Sequence, residues 1–406
     1  MNTATIPSSK QGSLTGAILL ICGSSIGVGM LALPVLTGEA GAFPTIAVFL
    51  ACCLFMSTTA LLLLETCLAC RQSKNLISMA KTSLNRFGQI AVLLSFLFLF
   101  YSIMTAYIAK GGELTHAILQ QGSPVPLPPV LGPLLLALMS GMIIFFGPFI
   151  VDRINRFFMG GLLASYLFLM ISGAPHFQLQ NIAHADWTLS LFIVPFIITA
   201  FGYHNMVPSI LEYLGGDRKK LLSVVFSSAA ILFGVYVIWV VGLQGVIPLD
   251  LIRQSAANGE IVTQPLSAVV GSPAVGFTAL YLAFFAIITS VLGQGMSILD
   301  FLADHFSIEK TAPNRLRLSL LLFVPTLIFS QTIPGVFFKA LEFAGGIAAM
   351  ILFGIIPALM SWVNRYRRPE LSGRVQILVP GGKPMLVITI ALSSIVVGYE
   401  VVKHLF

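Results

Sequence analysis

From Leu14 to the last residues, long apolar runs recur along this chain, separated by short polar turns. A helix needs roughly 20 apolar residues to cross the hydrocarbon core of a bilayer. On that rule the pattern predicts spans at 14–36, 44–70, 88–119, 129–147, 154–173, 188–213, 221–246, 272–302, 316–332, 336–363 and 385–404. The expectation is an all-α polytopic membrane protein of eleven transmembrane helices, a single domain over residues 1–406.

Two of the runs are interrupted. The first contains CGSSIGVGMLALP (22–34), with three glycines, two serines and a proline. The sixth reads VPFIITAFGYHNMVPSI (194–210), with Gly202, the polar pair His204–Asn205, and prolines at 195 and 208. Their breaks, near Ile26 and Tyr203, lie 177 residues apart. Each would open a half of five spans, about 14–173 and 188–363, with 385–404 as an extra helix. Because five is odd, the second half enters the membrane from the opposite side. Inverted repeats that each open on a broken helix point to a secondary transporter with its site between the breaks. Unwound backbone is tolerated at that depth only where it faces protein or a wet cavity. The N–H groups freed at a half-helix N-terminus can then hold an anion such as a carboxylate. Gly23 and Gly27 also form a GxxxG packing motif. Packing does not require Gly29, Ser24 and Ser25 as well, nor a matching polar break in the second half.

Composition agrees with the pattern: 57% hydrophobic, 9% charged, mean hydropathy +0.96. A formal charge of +7 and a pI near 9.2 would suit a nucleic-acid partner, but placement decides the matter. With the N-terminus in the cytoplasm, 18 of the 22 Lys and Arg residues fall on the cytoplasmic side, leaving Lys110, Arg253, Lys339 and Lys403 outside or at that edge. The basic residues therefore read as topology signals under the positive-inside rule. They predict an inside N-terminus, an outside C-terminus and no nucleic-acid partner. The lead ending in Lys10 with LTGAILLICGSS resembles a signal peptide, but apolar character resumes at Ile26 and runs to Leu36. Retention as the first span is the expectation. Cys22, Cys52, Cys53, Cys67 and Cys70 all lie in or beside the first two runs, which predicts no disulfide framework. The six histidines are scattered and no HExxH occurs, so an enzyme, a metal centre and a cofactor are not expected.

Ionisable side chains at membrane depth are costly and are functional suspects. The candidates are Glu65, Lys110 with Glu113 three residues on, His204, Asp300 and Glu342. His204 lies inside the second break and titrates near physiological pH.

GSSIGVGMLALP (23–34), TALLLLE (59–65), AYIAKGGEL (106–114), FGYHNMVPSI (201–210), LDFLAD (299–304) and VPGGKPML (379–386) occur in order over essentially the whole chain. Together they resemble the hydroxy and aromatic amino acid permease family, within the amino acid–polyamine–organocation transporters. The resemblance implies the inverted-repeat fold of the bacterial leucine transporter. It also implies inward symport of an aromatic amino acid, tyrosine first, with alternating access in a bacterial inner membrane. Tryptophan or serine/threonine carriage is the alternative. A small amino acid and the lipid bilayer are the partners implied, with no obligate protein partner. The proton is the favoured coupling ion and sodium the rival.

The resemblance also implies roles. Ser24, Ser25, Ile26, Gly27, Val28 and Gly29 match the family's glycine-rich break and would hold the carboxylate. Phe201, Gly202, Tyr203, His204 and Asn205 match the second break, whose carbonyls would take the ammonium, with Gly202 leaving room for a ring. Zwitterion recognition needs both signs of dipole, and charge-assisted bonds are the strong ones. Tyr101 and Tyr107, six residues apart and so on different faces, are candidates for the carboxylate or the ring pocket, and Phe201 for a gate. Proton coupling would draw on His204, Glu65 or Asp300. A sodium site would use carbonyls at the first break with Thr289 and Ser290, hard-cation ligands by type.

Overall fold

The computed structural model describes residues 12–70, 76–306, 308–309, 311–333, 335–368 and 375–405. Lys10, Arg71, Lys74, Lys310 and Arg374, all used in the charge argument, lie outside the described residues. Every regular element among the described residues is helical.

The first span is two helices, α1 (Leu14–Ser25) and α2 (Val28–Leu36), bent by 56°. There follow α3 (Ala42–Ala69), α4 (Leu76–Gln121), α5 (Leu131–Phe145), α6 (Pro148–Gly173) and a single turn, α7 (Leu179–Ile182). The sixth expected span comprises α8 (Ser190–Ala200), a 3₁₀ turn over Tyr203–Met206 and α9 (Val207–Tyr213). Next come α10 (Arg218–Val246), two short helices α11 (Leu249–Ala257) and α12 (Thr263–Val270), α13 (Pro273–His305) and α14 (Ala312–Thr332). The tenth expected span is α15 (Val336–Phe343), a π-helical segment over Ala344–Ile355 and α16 (Ile356–Tyr366). The chain closes on α17 (Gly382–Leu405).

Nine helices among the described residues are long and apolar enough to cross a membrane, ten with the bent first pair taken as one span. The fourth expected span holds only the 15 residues of α5. At 1.5 Å per residue that is about 22 Å, short of a hydrocarbon core of roughly 30 Å. Eleven crossings therefore depend on α5.

Three stretches differ from the apolar pattern. Helix α4 starts twelve residues before the expected 88, because Leu76, Ile77, Met79 and Ala80 bury one face of a lead-in helix. Asn85, at φ 65° and ψ −161°, kinks this lead-in against the span. Asn tolerates positive φ better than most residues. The polar 247–271 connection carries α11 and α12, and Val262 donates its N–H to the Leu31 carbonyl at 3.1 Å, which docks it on α2. The third is the π segment, AGGIAAMILFGI, where a plain α-helix was expected. π geometry inside a helix is rare and recurs at functional sites.

Burial sorts the spans. Within the most apolar window, 61% of α3 and 72% of Val336–Tyr366 are buried inside the protein, against 17% for Pro148–His176 and 28% each for α14 and α17. The well-buried helices surround the two breaks, and the others face lipid. All five cysteines are free and buried; Cys67 and Cys70 stand in C-x-x-C spacing at the end of α3.

Candidate functional site

Helix α1 ends at Ser25, and the Ile26 N–H closes its last turn on the Cys22 carbonyl at 2.8 Å. Gly27 has φ −169°, extended backbone open to any residue, so conformation does not explain the glycine. Space does: a Cβ there would drive into the Ser290 hydroxyl on α13. Helix α2 then starts with no side chain capping its first turn. The first N–H groups of a helix have no partner within it and carry partial positive charge.

Pro34 lies inside α2 and has no N–H to give the Met30 carbonyl, one turn back. Trp239 on α10 fills the gap, its Nε1–H donating to Met30 O at 2.7 Å. Gln244 donates to Thr37 Oγ1 at 3.0 Å one further turn along. Tyr236, on the same face of α10, places its hydroxyl 2.7 Å from Ser25 O and 3.2 Å from Ala200 O. Those carbonyls end α1 and α8, so one phenol staples both breaks together. Sequence reasoning missed these three residues. Pro34 was the available signal, since its missing donor leaves a carbonyl that something must satisfy in lipid.

The second break begins where the Phe201 N–H bonds back to Ile197 and Ile198 and the Gly202 N–H to Thr199. Between the breaks lies a pocket enclosing about 670 Å³ of empty space, its open mouth included. Ser24, Ser25 and Gly29 line it from the first break, with Thr199, Ala200, Gly202 and Asn205 from the second. Helix α4 adds Leu99, Phe100, Ile103 and Tyr107; α13 adds Ser290 and Gln294. Leu341, Ala349 and Phe353 close the wall, the last two from the π segment. Ser24 gives its hydroxyl proton to Ile21 O at 2.8 Å. Gln294 Oε1 is buried with no hydrogen-bond partner among the described residues. A buried polar atom of that kind calls for a donor.

The remaining predicted residues stand elsewhere. Ile26 and Gly27 are outside the pocket wall, and the Val28 side chain lies outside the described residues. Phe201 and Tyr203 are fully buried; Phe201 packs behind the break against Phe49 and Tyr236, with ring centroids 6.1 and 5.6 Å away. Tyr101 turns outward and donates to Leu321 O at 2.8 Å, so of the two tyrosines only Tyr107 reaches the pocket. His204 is wholly buried, 2.8 Å from Thr59 Oγ1 through Nε2 and stacked on Phe353 at 4.6 Å. Thr59 donates its own proton to Met56 O at 3.1 Å, so it accepts from His204, which makes His204 the Nε2–H tautomer. Phe353 thus separates the imidazole from the pocket.

Thr289 turns its hydroxyl back to Phe285 O and Ala286 O at 2.9 and 3.0 Å, whereas Ser290 reaches both Gly27 and the pocket. Asp300, ten residues beyond Ser290, lies about 15 Å further along α13 and is engaged by neighbours. Glu65 accepts two N–H donors of the Arg365 guanidinium, Nη2 at 2.6 Å and Nε at 3.0 Å. Lys110 and Glu113 pair at 2.5 Å beyond the other end of the pocket, where Lys110 also donates to Gly259 O at 3.0 Å.

The Gly23–Gly27 stretch also has G-x-S-x-G spacing. In hydrolases that sequence turns between a strand and a helix, with a histidine base at hand. Here it ends a helix, and no histidine lines the pocket.

The family model of the tryptophan/tyrosine permeases matches residues 10–400. A Shigella flexneri protein named tryptophan-specific transport protein is 28% identical over 390 residues, covering 94% of this chain and 93% of its own. Tyrosine-specific transport system 1 of Haemophilus influenzae is 29% identical over 394 residues, covering 94% of each. The crystal structure of MhsT in complex with L-phenylalanine aligns over 97% of this chain and 99% of that one, with a TM-score of 0.64 at 16% identity. The two chains share a fold.

Proposed function

The chain belongs to the tryptophan/tyrosine permease family, a family of carriers rather than enzymes, and from that premise we propose that it imports tyrosine by proton symport with alternating access. The observation that carries this reading is the meeting of two helix breaks at one pocket with an aromatic wall. The uncapped start of α2 favours a carboxylate, and the last carbonyls of α8 favour an ammonium group. Phe100, Tyr107 and Phe353 offer faces and edges to a ring. The charge bias of the loops supports a bacterial inner membrane with the N-terminus in the cytoplasm and the C-terminus outside.

Relatives named for tryptophan and for tyrosine match at 28% and 29% identity, so overall similarity does not choose between the two substrates. Both carry a ring donor, a phenol O–H or an indole N–H, and phenylalanine carries none. Gln294 Oε1 is the buried acceptor in the wall that such a donor would satisfy. A site built around such a bond rejects the analogue that lacks it, because the buried acceptor is then left unpaired. Uptake of labelled tyrosine, challenged in turn by unlabelled tyrosine, tryptophan, phenylalanine and serine, tests the reading. Tyrosine should compete best, tryptophan next and phenylalanine weakly, and Gln294→Leu should bring phenylalanine closer to tyrosine. Strong competition by serine with none by tyrosine would end the aromatic reading. Uptake that follows an imposed sodium gradient and ignores a pH gradient would end the proton reading. Gly27→Leu, which forces a side chain into Ser290, should abolish uptake while the protein still inserts.

A further inference from the structure

A second polar centre lies between α15 and α17, outside the pocket lining but packed on two of the elements that form it. Glu400 is fully buried, and neither of its carboxylate oxygens has a hydrogen-bond partner among the described residues. Glu342, 8% exposed, faces it from α15 and accepts a hydrogen bond from Lys403 Nζ. His404 Nε2 stands between them, 3.6 Å from Glu400 Oε2 and 3.7 Å from Glu342 Oε1. The ring of His404 stacks on Phe343 at 4.3 Å, and Lys403 Nζ lies 4.0 Å from the Phe192 ring centre. One atom from each of Glu342, Glu400 and His404 falls within 4.8 Å of the others. Glu400 is five residues from the end of α17 and Glu342 six from the start of α15, about 8 and 9 Å into their helices.

Charge decides what the centre lacks. Two carboxylates, one ammonium and a neutral imidazole leave one net negative charge. Lys403 and His404 keep 27% and 30% of their side chains exposed, and Glu400 is the wholly buried member. An unbalanced charge on such a carboxylate is expensive, and the group neutralises when it can. Of the facing elements, 190–200 and 344–355 carry no ionisable side chain, and on α4, which packs against α15, Lys110 is held by Glu113. Lys339 on α15 is exposed, Tyr399 is neutral, and Arg365 on α16 is held by Glu65. One proton completes the balance. A divalent cation would overshoot it and would face the Lys403 ammonium.

We infer that Glu342, Glu400 and His404 form a one-proton site, with the proton shared between Glu400 and His404, and that this is the proton carried in symport. The inference rests on the symport reading above. The site has a short mechanical path to the substrate. A Cβ on Gly346 would lie 2.9 Å from the Glu400 carboxyl carbon and 3.3 Å from Pro195 Cβ, so the carboxylate sits in the seam between the π segment and α8. Both elements then run on to the pocket, through Ala349 and Phe353 on one side and Thr199 and Ala200 on the other. Charging or discharging Glu400 loads that seam directly.

The test uses the full-length protein in liposomes with a trapped pH dye, and reads proton entry on tyrosine addition together with tyrosine-for-tyrosine exchange. The wild type should take up protons with tyrosine. Glu400→Gln should lose the proton flux and keep the exchange. Glu342→Gln should do the same, because removing either carboxylate leaves the centre neutral without a proton. That second variant decides the matter if the first does not insert. A proton flux of wild-type size per tyrosine in both variants would overturn the site and leave symport standing. Tyrosine uptake without proton flux in the wild type would overturn the symport reading, and the site with it. Flux that a chelator abolishes and zinc restores would make the centre a metal site and overturn its role as a proton site.

Discussion

Glu65 and Glu400 are both carboxylates inside membrane helices, 1% and 0% exposed, yet their surroundings are opposite. Glu65 is saturated. It accepts Arg365 Nε at 3.0 Å and Nη2 at 2.6 Å, with the backbone N–H groups of Leu378 and Val379 at 2.6 and 2.8 Å. Glu400 accepts no hydrogen bond, and a histidine at 3.6 Å is its nearest ionisable contact among the described ion pairs. The sequence marks both as buried charge, and burial alone does not tell a latch from a switch. The number of bonds the carboxylate already holds does. A fully bonded carboxylate fixes structure, whereas an unbonded one has no bonds to give up when its surroundings change.

The widest gap between the two should come from breaking the latch. Glu65→Gln leaves the Arg365 charge buried without its partner, a loss of about 3–5 kcal/mol for pairs of this kind. The purified protein should melt far below wild type, and a wild-type melting temperature would show that the pair is not holding α3 to α16. Arg365→Lys keeps the charge but gives up the planar fork that matches both carboxylate oxygens. It should cost less, about 1–3 kcal/mol, measured in the same way. Equal losses for the two variants would mean that geometry, not charge, carries the latch.

Part of this contrast was legible in the sequence. Lipid imposes the apolar runs, so their positions survive in the structure with shifted ends. The breaks were legible because glycine, serine and paired polar residues concentrate there at matching places in the two expected halves. TALLLLE (59–65) stood out as a motif, but its work depends on partners far along the chain. Thr59 meets His204, Leu62 O accepts Ser361 at 3.0 Å, and Glu65 meets Arg365. Spacing could say that Tyr101 and Tyr107 face different ways, but not which way the pocket lies. The π segment is invisible because small and aliphatic residues suit an α-helix equally well. Gln294 was passed over as a lone amide, and only the pocket around it gives its oxygen meaning. The pairing of Glu342 with Glu400 also needed the fold, since α17 belongs to neither expected repeat.

The smallest effect on stability should be that of Glu400→Gln, and it is the one that sharpens the comparison most. Glutamine matches glutamate in size, so the packing against Gly346 and Pro195 is kept. Glu400 has no hydrogen bond to lose, and the substitution removes the unbalanced charge of its cluster. The change should therefore lie within about 1 kcal/mol of wild type, on either side of zero. Glu65→Gln swaps the same two side chains at a site equally buried, so the pair isolates bonding from burial. A melting temperature as depressed as that of Glu65→Gln would mean that Glu400 is held as firmly as Glu65. The carboxylate would then be a second latch, and its proton would have no reason to leave.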